Sequence, residues 1–423
     1  MLLEFSTANF RSFRDRVTLS FVASSDDWLE DDNVAISGAF RVVKAAAIYG
    51  PNAGGKSNLL FALQTMRNFV LNSSKDSQKD EKIPVTPFRL DTQTENAPSL
   101  FEVVFALKGA RYRYGFEADA QLVRNEWLFV QRDSTRDTTL FTREGDQIKP
   151  GPDFREGKGL EERTRPNALF LSVVAQFNGA IAGELLTWFN QFRYITGIRD
   201  GNYLMVTSNM LRDVRFSGQV LDLVRQADFG IEQILSRDVP ADKLRASLSP
   251  DLPEAVREQF LKRPPFEMKT LHRKFSGEQS LEELVEFDLA RDESAGTAKF
   301  VGFMGPFLHT LSTGSILVVD ELEARLHPHL TKALVRLFNS SANRQNAQII
   351  FATHDVGLLD ASSIRRDQLW FVEKTDRGAS TLYPLTDFSV RKEGKFQREY
   401  LLGQFGAVPR VGDFRETLLH GER

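Results

Sequence analysis

The sequence predicts an α/β fold built around a phosphate-binding loop, and three observations indicate that class. A complete loop motif at residues 50–57 stands between an apolar run and a helix-like run. Short strands of alternating polarity dominate the first third of the chain and predict an antiparallel β subdomain. From residue 183 to about residue 289 the pattern becomes mostly helical, which predicts an inserted helical lobe.

The loop is the most specific of these signals. It follows the apolar run 45–48, precedes the run 58–63, and reads Gly50-Pro51-Asn52-Ala53-Gly54-Gly55-Lys56-Ser57, a G-x-x-x-x-G-K-S motif. In such a loop, backbone N–H groups close around the phosphates, Lys56 reaches the β- and γ-phosphates, and the Ser57 hydroxyl ligates Mg²⁺. We therefore expect all eight residues to contact a nucleotide at the N-terminus of a helix.

The predicted strands of the first third lie on both sides of this loop. The short turn 108–111 joins two of them and is typical of a hairpin. The six candidate strands are residues 2–5, 17–21, 40–48, 101–107, 112–117 and 126–131. Within the helical region, amphipathic candidates lie at 218–227 and 254–261.

Composition narrows the possible classes of protein. The chain has 423 residues, of which 41% are hydrophobic and 26% charged, as is typical of a globular protein. It contains no cysteine, which excludes disulfides and thiolate zinc sites and suits a cytoplasmic location. The opening residues do not resemble a signal peptide, and no run approaches about 18 apolar residues, so we expect no secretion and no membrane span. The net charge of −3 provides no overall basic field for nucleic acid.

Two further motifs lie downstream at the ends of apolar runs. The run 316–319 ends in Asp320 and Glu321, where a carboxylate can face Mg²⁺ and a second one can orient a water as general base. A later run, 349–352, leads to His354. An acidic pair after an apolar run is common, and a lone histidine there is often structural. In combination with the phosphate loop, the three residues indicate a hydrolytic site with His354 sensing the γ-phosphate.

A helix start precedes the acidic strand. Ser294 is a natural helix cap and Gly296 allows close backbone approach, although an ordinary capped helix is an equally simple interpretation. The order of phosphate loop, helical lobe, Ser-x-Gly helix, acidic strand and histidine is that of an ABC-type ATPase. In that class the Ser-x-Gly helix serves the ATP held by a second protomer.

This order suggests three segments. Residues 1–180 would be the N-terminal ATPase lobe with the phosphate loop and the β subdomain. Residues 181–290 would be the helical lobe. Residues 291–423 would hold the Ser-x-Gly helix, the acidic strand, the histidine and the rest of an ABC-type P-loop ATPase head.

Several segments together resemble the stand-alone ABC-type ATPases of abortive-infection and anti-phage systems, which are relatives of OLD-family and SMC/RecF-type heads. The segments that carry the resemblance are residues 9–13, 49–60, 293–297, 320–328, 366–374, 400–403 and 406–409. The resemblance spans nearly the whole chain and implies a homodimer or higher homo-oligomer that binds ATP and Mg²⁺.

Two further site residues follow from the resemblance. It implies that Gln176 links Mg²⁺ to the helical lobe, with a polar strand end as the alternative. It implies that Arg11 lies near the nucleotide, with an exposed surface arginine as the alternative.

Two departures from the family pattern limit what the resemblance implies. The Leu-Ser-Gly-Gly-Gln run of transporter ATPases is absent, and His327 stands where many ABC proteins have an aspartate. No stretch of about 100 residues reads as continuous heptads, so we expect no long coiled-coil arm.

The functional hypothesis is a cytoplasmic ATPase whose ATP-bound dimer controls a separate effector, a toxin or nuclease, in anti-phage defence. The alternative is a DNA-binding repair or recombination ATPase of the RecF/SMC type, which would show salt-sensitive, ATP-dependent DNA binding. A nucleotide-controlled scaffold with negligible turnover is a third class. A nuclease within the chain is disfavoured, because no Asp-x-Asp pair follows His354.

Overall fold

The protein is described by a computed structural model. It covers the chain except residues 76–77, 79–80, 133–135, 197–200, 241, 243, 245–253, 255–264, 278, 410–411 and 413–423. The candidate helix at 254–261 therefore lies almost entirely outside the described residues.

Seven strands from the N-terminal part form an antiparallel sheet in the order β10-β9-β8-β7-β6-β1-β2. This confirms the predicted antiparallel subdomain. The Lys108-Gly109 turn joins β6 to β7, and both residues have positive φ angles, of 50° and 81°, as two-residue hairpins require. The strands are β1 Leu2–Ala8, β2 Val17–Ser20, β6 Ser99–Leu107, β7 Ala110–Ala118, β8 Val123–Gln131, β9 Thr138–Glu144 and β10 Gln147–Pro150.

A second sheet has six strands in the order β11-β15-β16-β5-β17-β18. The strands from β11 to β17 run parallel, and β18 pairs with β17 in the antiparallel sense. All five strands of the parallel part therefore end at one edge. The strands are β5 Ala45–Tyr49, β11 Phe192–Thr196, β15 Ile316–Asp320, β16 Gln348–Ala352, β17 Leu369–Lys374 and β18 Ser380–Pro384.

The remaining strands form two small antiparallel sheets. These are β3 Val34–Ser37 with β4 Phe40–Val43, and β12 Ile231–Asp238 with β13 Phe266–Ser276 and β14 Gln279–Asp288. The α-helices are α1 Glu30–Asn33, α2 Lys56–Asn72, α3 Phe170–Gln176, α4 Ala180–Phe189, α5 Gly201–Arg212, α6 Val214–Gln226, α7 Ala295–Thr313, α8 Pro328–Phe338 and α9 Phe396–Leu401.

The six-stranded sheet is the middle layer between two apolar cores. Side chains alternate across it because successive residues of a strand face opposite sides. Ala46 and Ile48 of β5 belong to the core that contains the seven-stranded sheet and α2 to α4. Ala45, Ala47 and Tyr49 belong to the core that contains α5 to α8. This arrangement confirms an α/β fold with the phosphate loop at the end of a fully buried strand.

Two details of the sequence interpretation are wrong. The mostly helical pattern holds only for the first part of residues 183–289, since β12 to β14 form a three-stranded sheet and β11 joins the central one. The single strand predicted at 40–48 is broken at Lys44. That buried lysine donates Nζ hydrogen bonds to the carbonyls of Asp32 and Ser340, at 2.7 and 3.2 Å. The segment bounds at 180 and 290 stay a prediction.

No single helix among the described residues is long and apolar enough to cross a bilayer. Helices α3 and α4 reach the length and apolar composition of a membrane span only when they are counted together, and their axes differ by 111°.

A buried carboxylate fastens α3 to the antiparallel sheet. Glu126 accepts hydrogen bonds from the N–H groups of Phe170 and Leu171, at 2.7 and 3.0 Å, and from the Tyr114 hydroxyl at 2.9 Å. The Arg143 guanidinium lies 4.0 Å away. Burial raises the pKa of Glu126, and the Arg143 charge opposes that change.

We expect Glu126→Ala to lower the free energy of unfolding by about 3 kcal/mol, because three buried donors lose their acceptor and Arg143 loses its counter-charge. Urea unfolding followed by circular dichroism measures this loss. Glu144→Ala, at an exposed position of β9, is the matched control and should shift stability by less than about 0.5 kcal/mol. Equal stabilities of the two variants would contradict the role given to Glu126.

Candidate active site

The phosphate loop joins β5 to α2 and requires glycine at two of its positions. Gly50 has φ 156° and a Cβ there would lie 2.1 Å from the carbonyl oxygen of Val372. Gly55 has φ 125° and a Cβ there would lie 2.4 Å from the Ser380 hydroxyl oxygen. The neighbouring strands β17 and β18 therefore lie directly against the phosphate loop. A side chain at Gly50 or Gly55 would displace the loop.

Lys56 begins α2 and folds back over the loop. Its Nζ donates hydrogen bonds to the carbonyl oxygens of Gly50 and Pro51, at 2.8 and 3.1 Å. Burial lowers the pKa of Lys56 to about 8, although the nearby carboxylates of Asp320, Glu323 and Glu321 act in the opposite direction. The ammonium is thus held at the centre of the loop, where the phosphates of a nucleotide would lie.

Ser57 and Asp320 meet at the carboxyl edge of the central sheet. The Ser57 hydroxyl donates to Asp320 Oδ1 at 3.1 Å, although the two residues come from α2 and β15. Burial raises the pKa of Asp320, while the Ser57 hydrogen bond and the Lys56 charge lower it. A hydroxyl and a carboxylate in contact fit Mg²⁺, which commonly takes one or two protein oxygens and completes its shell with phosphate and water.

Glu321 follows Asp320 in a left-handed conformation with φ 56°. Its carboxylate is only partly buried. Burial raises the pKa of Glu321, and the charges of Asp320 and Glu323 raise it further. Glu321 is therefore a partly exposed carboxylate of raised pKa directly after Asp320, and its role as general base stays a prediction.

His354 follows β16, the strand between β15 and β5. His354 is an exposed residue, and its backbone N–H donates to Glu323 Oε1 at 2.6 Å. Partial burial of the ring lowers the pKa of His354, and the Lys56 ammonium lowers it further. The lowered pKa favours the neutral imidazole, which has one N–H to donate.

Glu323 is a site residue that the sequence interpretation did not select. It joins the loop after β15 to the loop after β16, and its second oxygen, Oε2, is buried with no hydrogen-bond partner among the described residues. The sequence feature that could have marked Glu323 is its position two residues after Glu321, in the segment Asp320-Glu321-Leu322-Glu323. That spacing alone did not reveal its contact with the His354 backbone.

Ser294 caps α7, and this helix is fastened to the loop that carries Glu321. The Ser294 hydroxyl accepts from the Thr297 N–H at 3.1 Å. A Cβ at Gly296 would lie 2.6 Å from the carbonyl oxygen of Arg325. The Nζ of Lys299, a fully buried residue, donates to the carbonyls of Leu322, at 3.2 Å, and Ala324.

No described hydrogen bond joins Ser294 to the phosphate loop of its own chain. Gly296 and Lys299 pack against the loop after Glu321, and the hydrogen bonds of Ser294 are those of an ordinary helix cap.

Arg11 lies beside the first turn of α2. Its guanidinium carbon is 3.7 Å from the centre of the Phe61 ring, and Nη1 donates to Asn58 Oδ1 at 3.4 Å. Asn58 directly follows Ser57, so the exposed Arg11 lies close to the phosphate loop.

Gln176 is the last residue of helix α3, so the alternative of a polar strand end is wrong. The contacts of α3 with α2 involve Val70 and Ser73. Along a helix, Val70 is about 20 Å from Ser57. No described hydrogen bond brings Gln176 to Ser57 or Asp320, and its role as a metal ligand stays a prediction.

The pKa of Lys56 predicts how ATP binding depends on pH. Only the ammonium form attracts the phosphates, and above pH 8 the nucleotide-free protein loses it. The association constant for Mg-ATP should therefore fall about tenfold between pH 7 and pH 9. Calorimetric titration at several pH values measures this change. Lys56→Arg, which keeps its charge throughout, should show a flat profile, and a flat profile for the parent protein would contradict the prediction.

These features define the class of protein. A phosphate loop after β5, an acidic pair after β15, a histidine after the strand between them and a Ser-capped helix packed on the acidic loop are the parts of an ABC-type P-loop ATPase.

The chain matches the family described as "AAA domain, putative AbiEii toxin, Type IV TA system" over residues 45–360. That match covers well over half of the chain, and the chain belongs to this family. The matched range of residues 45–360 includes every site residue described above except Arg11. The comparison with curated proteins gives no match.

Solved structures of ATPase heads are similar at low sequence identity. The SMC head domain from Thermotoga maritima matches with TM-score 0.41 and 14% identity, over 90% of this chain and 98% of that one. The recombination mediator RecF matches with TM-score 0.33 and 14% identity, over the same shares, 90% and 98%. The cbiO1 subunit of an ABC transporter complex from Clostridium perfringens matches with TM-score 0.25 and 14% identity, over 86% and 90%. All three TM-scores are below 0.5, so the assignment of the class depends on the topology, the site and the family match.

Proposed function

We propose that this chain hydrolyses ATP at the carboxyl edge of its central sheet and that ATP joins two copies of it. The observation that carries the proposal is the convergence of Lys56 and Ser57 with Asp320 and Glu321, two segments that lie far apart in the sequence. Open α/β sheets bind their ligands at this edge. The positive end of α2 and the Lys56 ammonium would hold the β- and γ-phosphates.

Each site residue has a role that follows from its position. Mg²⁺, when bound through Ser57 and Asp320, would neutralise charge on the phosphates. Glu321 would orient a water for in-line attack and take its proton. The neutral His354 would donate its N–H to a γ-phosphate oxygen, and Glu323 would fix the backbone of His354 at the distance this contact needs.

The placement of Ser294 supports a composite site. No described hydrogen bond joins Ser294 to the phosphate loop of its own chain, and the next turn of α7 packs against the loop after Glu321 through Gly296 and Lys299. In a two-fold dimer this helix end would face the γ-phosphate held by the partner chain, where its dipole and hydroxyl would stabilise charge. His327, at the start of α8, would lie on the same dimer surface.

Mixing two inactive variants tests this arrangement. Lys56→Ala and Ser294→Glu homodimers should each lack ATPase activity at both sites. A mixed dimer would have one site with both defects and one with none, so activity should return, to at most about one quarter of the parent value on equal mixing. The absence of any recovery, with mixed dimers verified by mass, would overturn the composite site.

We further propose that the ATP-bound dimer acts in the cytoplasm and controls a separate effector, a toxin or nuclease, in anti-phage defence. The description of the family, which names a toxin and a TA system, supports a connection with a toxin system. The described residues supply one hydrolytic site, which is committed to ATP, so the damaging activity would belong to another chain.

Affinity purification of tagged Glu321→Gln protein from its host in Mg-ATP tests whether the ATP-bound dimer holds a separate effector. A stoichiometric protein that is released when the nucleotide is removed would support the effector. Nuclease-sensitive DNA without such a protein would overturn it in favour of a DNA-repair ATPase. Tagged Lys56→Ala protein is the control, because it should retain neither partner.

A further inference from the structure

We propose a second ligand site, separate from the ATP site, in the cleft beside strand β11, and we propose that it takes a nucleoside monophosphate. The cleft has a volume of about 780 Å³ and lies between β11, α5, α6 and the C-terminal half of α7. Arg193 at its edge would hold the phosphate, and aromatic side chains would pack on the base.

Arg193 of β11 and His309 of α7 line the cleft, and Arg67 of α2 lies outside its lining, beside Asn190. The carboxylate in the lining, Asp213, pairs with Arg215 at 2.6 Å. The two arginines both donate to Asn190: Arg67 Nη2 to Oδ1 at 3.3 Å and Arg193 Nη1 to the carbonyl oxygen at 3.2 Å. Neither arginine has an Asp or Glu oxygen within 4.0 Å among the described residues.

The same groups have unused hydrogen-bonding atoms. Arg67 Nε and His309 Nδ1 are buried atoms with no partner in the described part of the chain. Burial lowers the pKa of Arg67 and of His309, and the Arg193 charge lowers both further. Like charges held together while partly buried cost free energy, and an anion bound among them would offset that cost.

The walls of the cleft define the rest of the ligand. Tyr203 and Phe216 contribute aromatic rings, and Met210 and Pro306 contribute apolar surface. The volume is within the usual range for small-molecule pockets, and an apolar cleft with a few polar groups is their usual composition. A planar aromatic group joined to a phosphate matches both the rings and the cations.

The cleft is distinct from the ATP site but linked to it. Neither the phosphate loop nor Glu321 lines it. Thr196 at the end of β11 pairs with Asp320 at the end of β15. Strand β11 is therefore the element through which occupation of the cleft would influence Asp320.

Equilibrium dialysis tests the site with the full-length protein. The ATP site is first saturated with Mg²⁺ and a non-hydrolysable ATP analogue, and the four 5′-ribonucleoside monophosphates are then added singly. We expect at least one of them to bind at one equivalent per chain. Arg193→Met should weaken that binding at least tenfold, since it removes the charge and keeps the length of the side chain.

Arg212→Met is the matched control. Arg212 lies on α5, just beyond the residues of that helix that line the cleft, and bonds instead to Asp238 at 2.7 Å. It should bind the monophosphate within twofold of the parent. Both variants should keep the parent affinity for the ATP analogue, which separates a failure here from a failure of the ATP site. The proposal is overturned if none of the four compounds binds, or if Arg193→Met binds as the parent does.

Discussion

Glu321→Gln should lower the turnover of ATP by about 10²–10⁴-fold while leaving the affinity for Mg-ATP close to that of the parent protein. The amide keeps the size of the side chain but cannot accept the proton of the attacking water. Lys56, Ser57 and Asp320, which bind the nucleotide, are unchanged. Phosphate release in the steady state and calorimetric titration with Mg-ATP measure the two quantities on one preparation.

The control for this variant is Glu283→Gln. Glu283 is an exposed residue of β14 that pairs with Lys274, so its replacement should leave both quantities unchanged. If Glu321→Gln turns over ATP like the parent, Glu321 is not the base. Glu323, the next carboxylate of the same loop, would then be the residue to replace.

Lys56→Ala should weaken the binding of Mg-ATP by at least about 100-fold. The substitution removes a buried ammonium from the centre of the phosphate loop and with it a charge-assisted contact to two phosphates, which contributes roughly 3 kcal/mol. Titration with a fluorescent ATP analogue measures the affinity.

Because Lys56 also bonds to the carbonyls of Gly50 and Pro51, thermal unfolding of the variant must be measured alongside. Lys108→Ala, at an exposed hairpin, is the matched control and should bind ATP like the parent. Unchanged ATP affinity in a folded Lys56→Ala protein would refute the assignment of the phosphate loop.

The parts of the site that are local in sequence could be predicted from it. Gly50 to Ser57 form a loop whose glycines are required by its own backbone angles, and Asp320 ends a strand that is apolar throughout. Parallel strands end at one edge, so the contact between Ser57 and Asp320 follows once both are placed on such strands.

The parts that depend on packing between distant segments could not be predicted. The sheet of β12 to β14 was missed because its strands are partly exposed and charged: Phe266–Ser276 has a buried residue at only two positions. Lys44 interrupts a strand, and its ammonium bonds to the carbonyl of Asp32 and to that of Ser340, which lies 296 residues away in the sequence. Glu323 and Lys299 were missed for the same reason, since their bonding partners are backbone atoms, which no residue pattern marks.

The buried Lys299 ties α7 to the carbonyls that follow Glu321, and in the proposed dimer this bond has a kinetic consequence. The base of one site and the Ser294 cap of the other would belong to a single rigid unit. ATP arriving at the first site would align the cap for the second, so the rate should rise sigmoidally with ATP concentration. Lys299→Met, which loosens that unit, would then return the curve to a hyperbola.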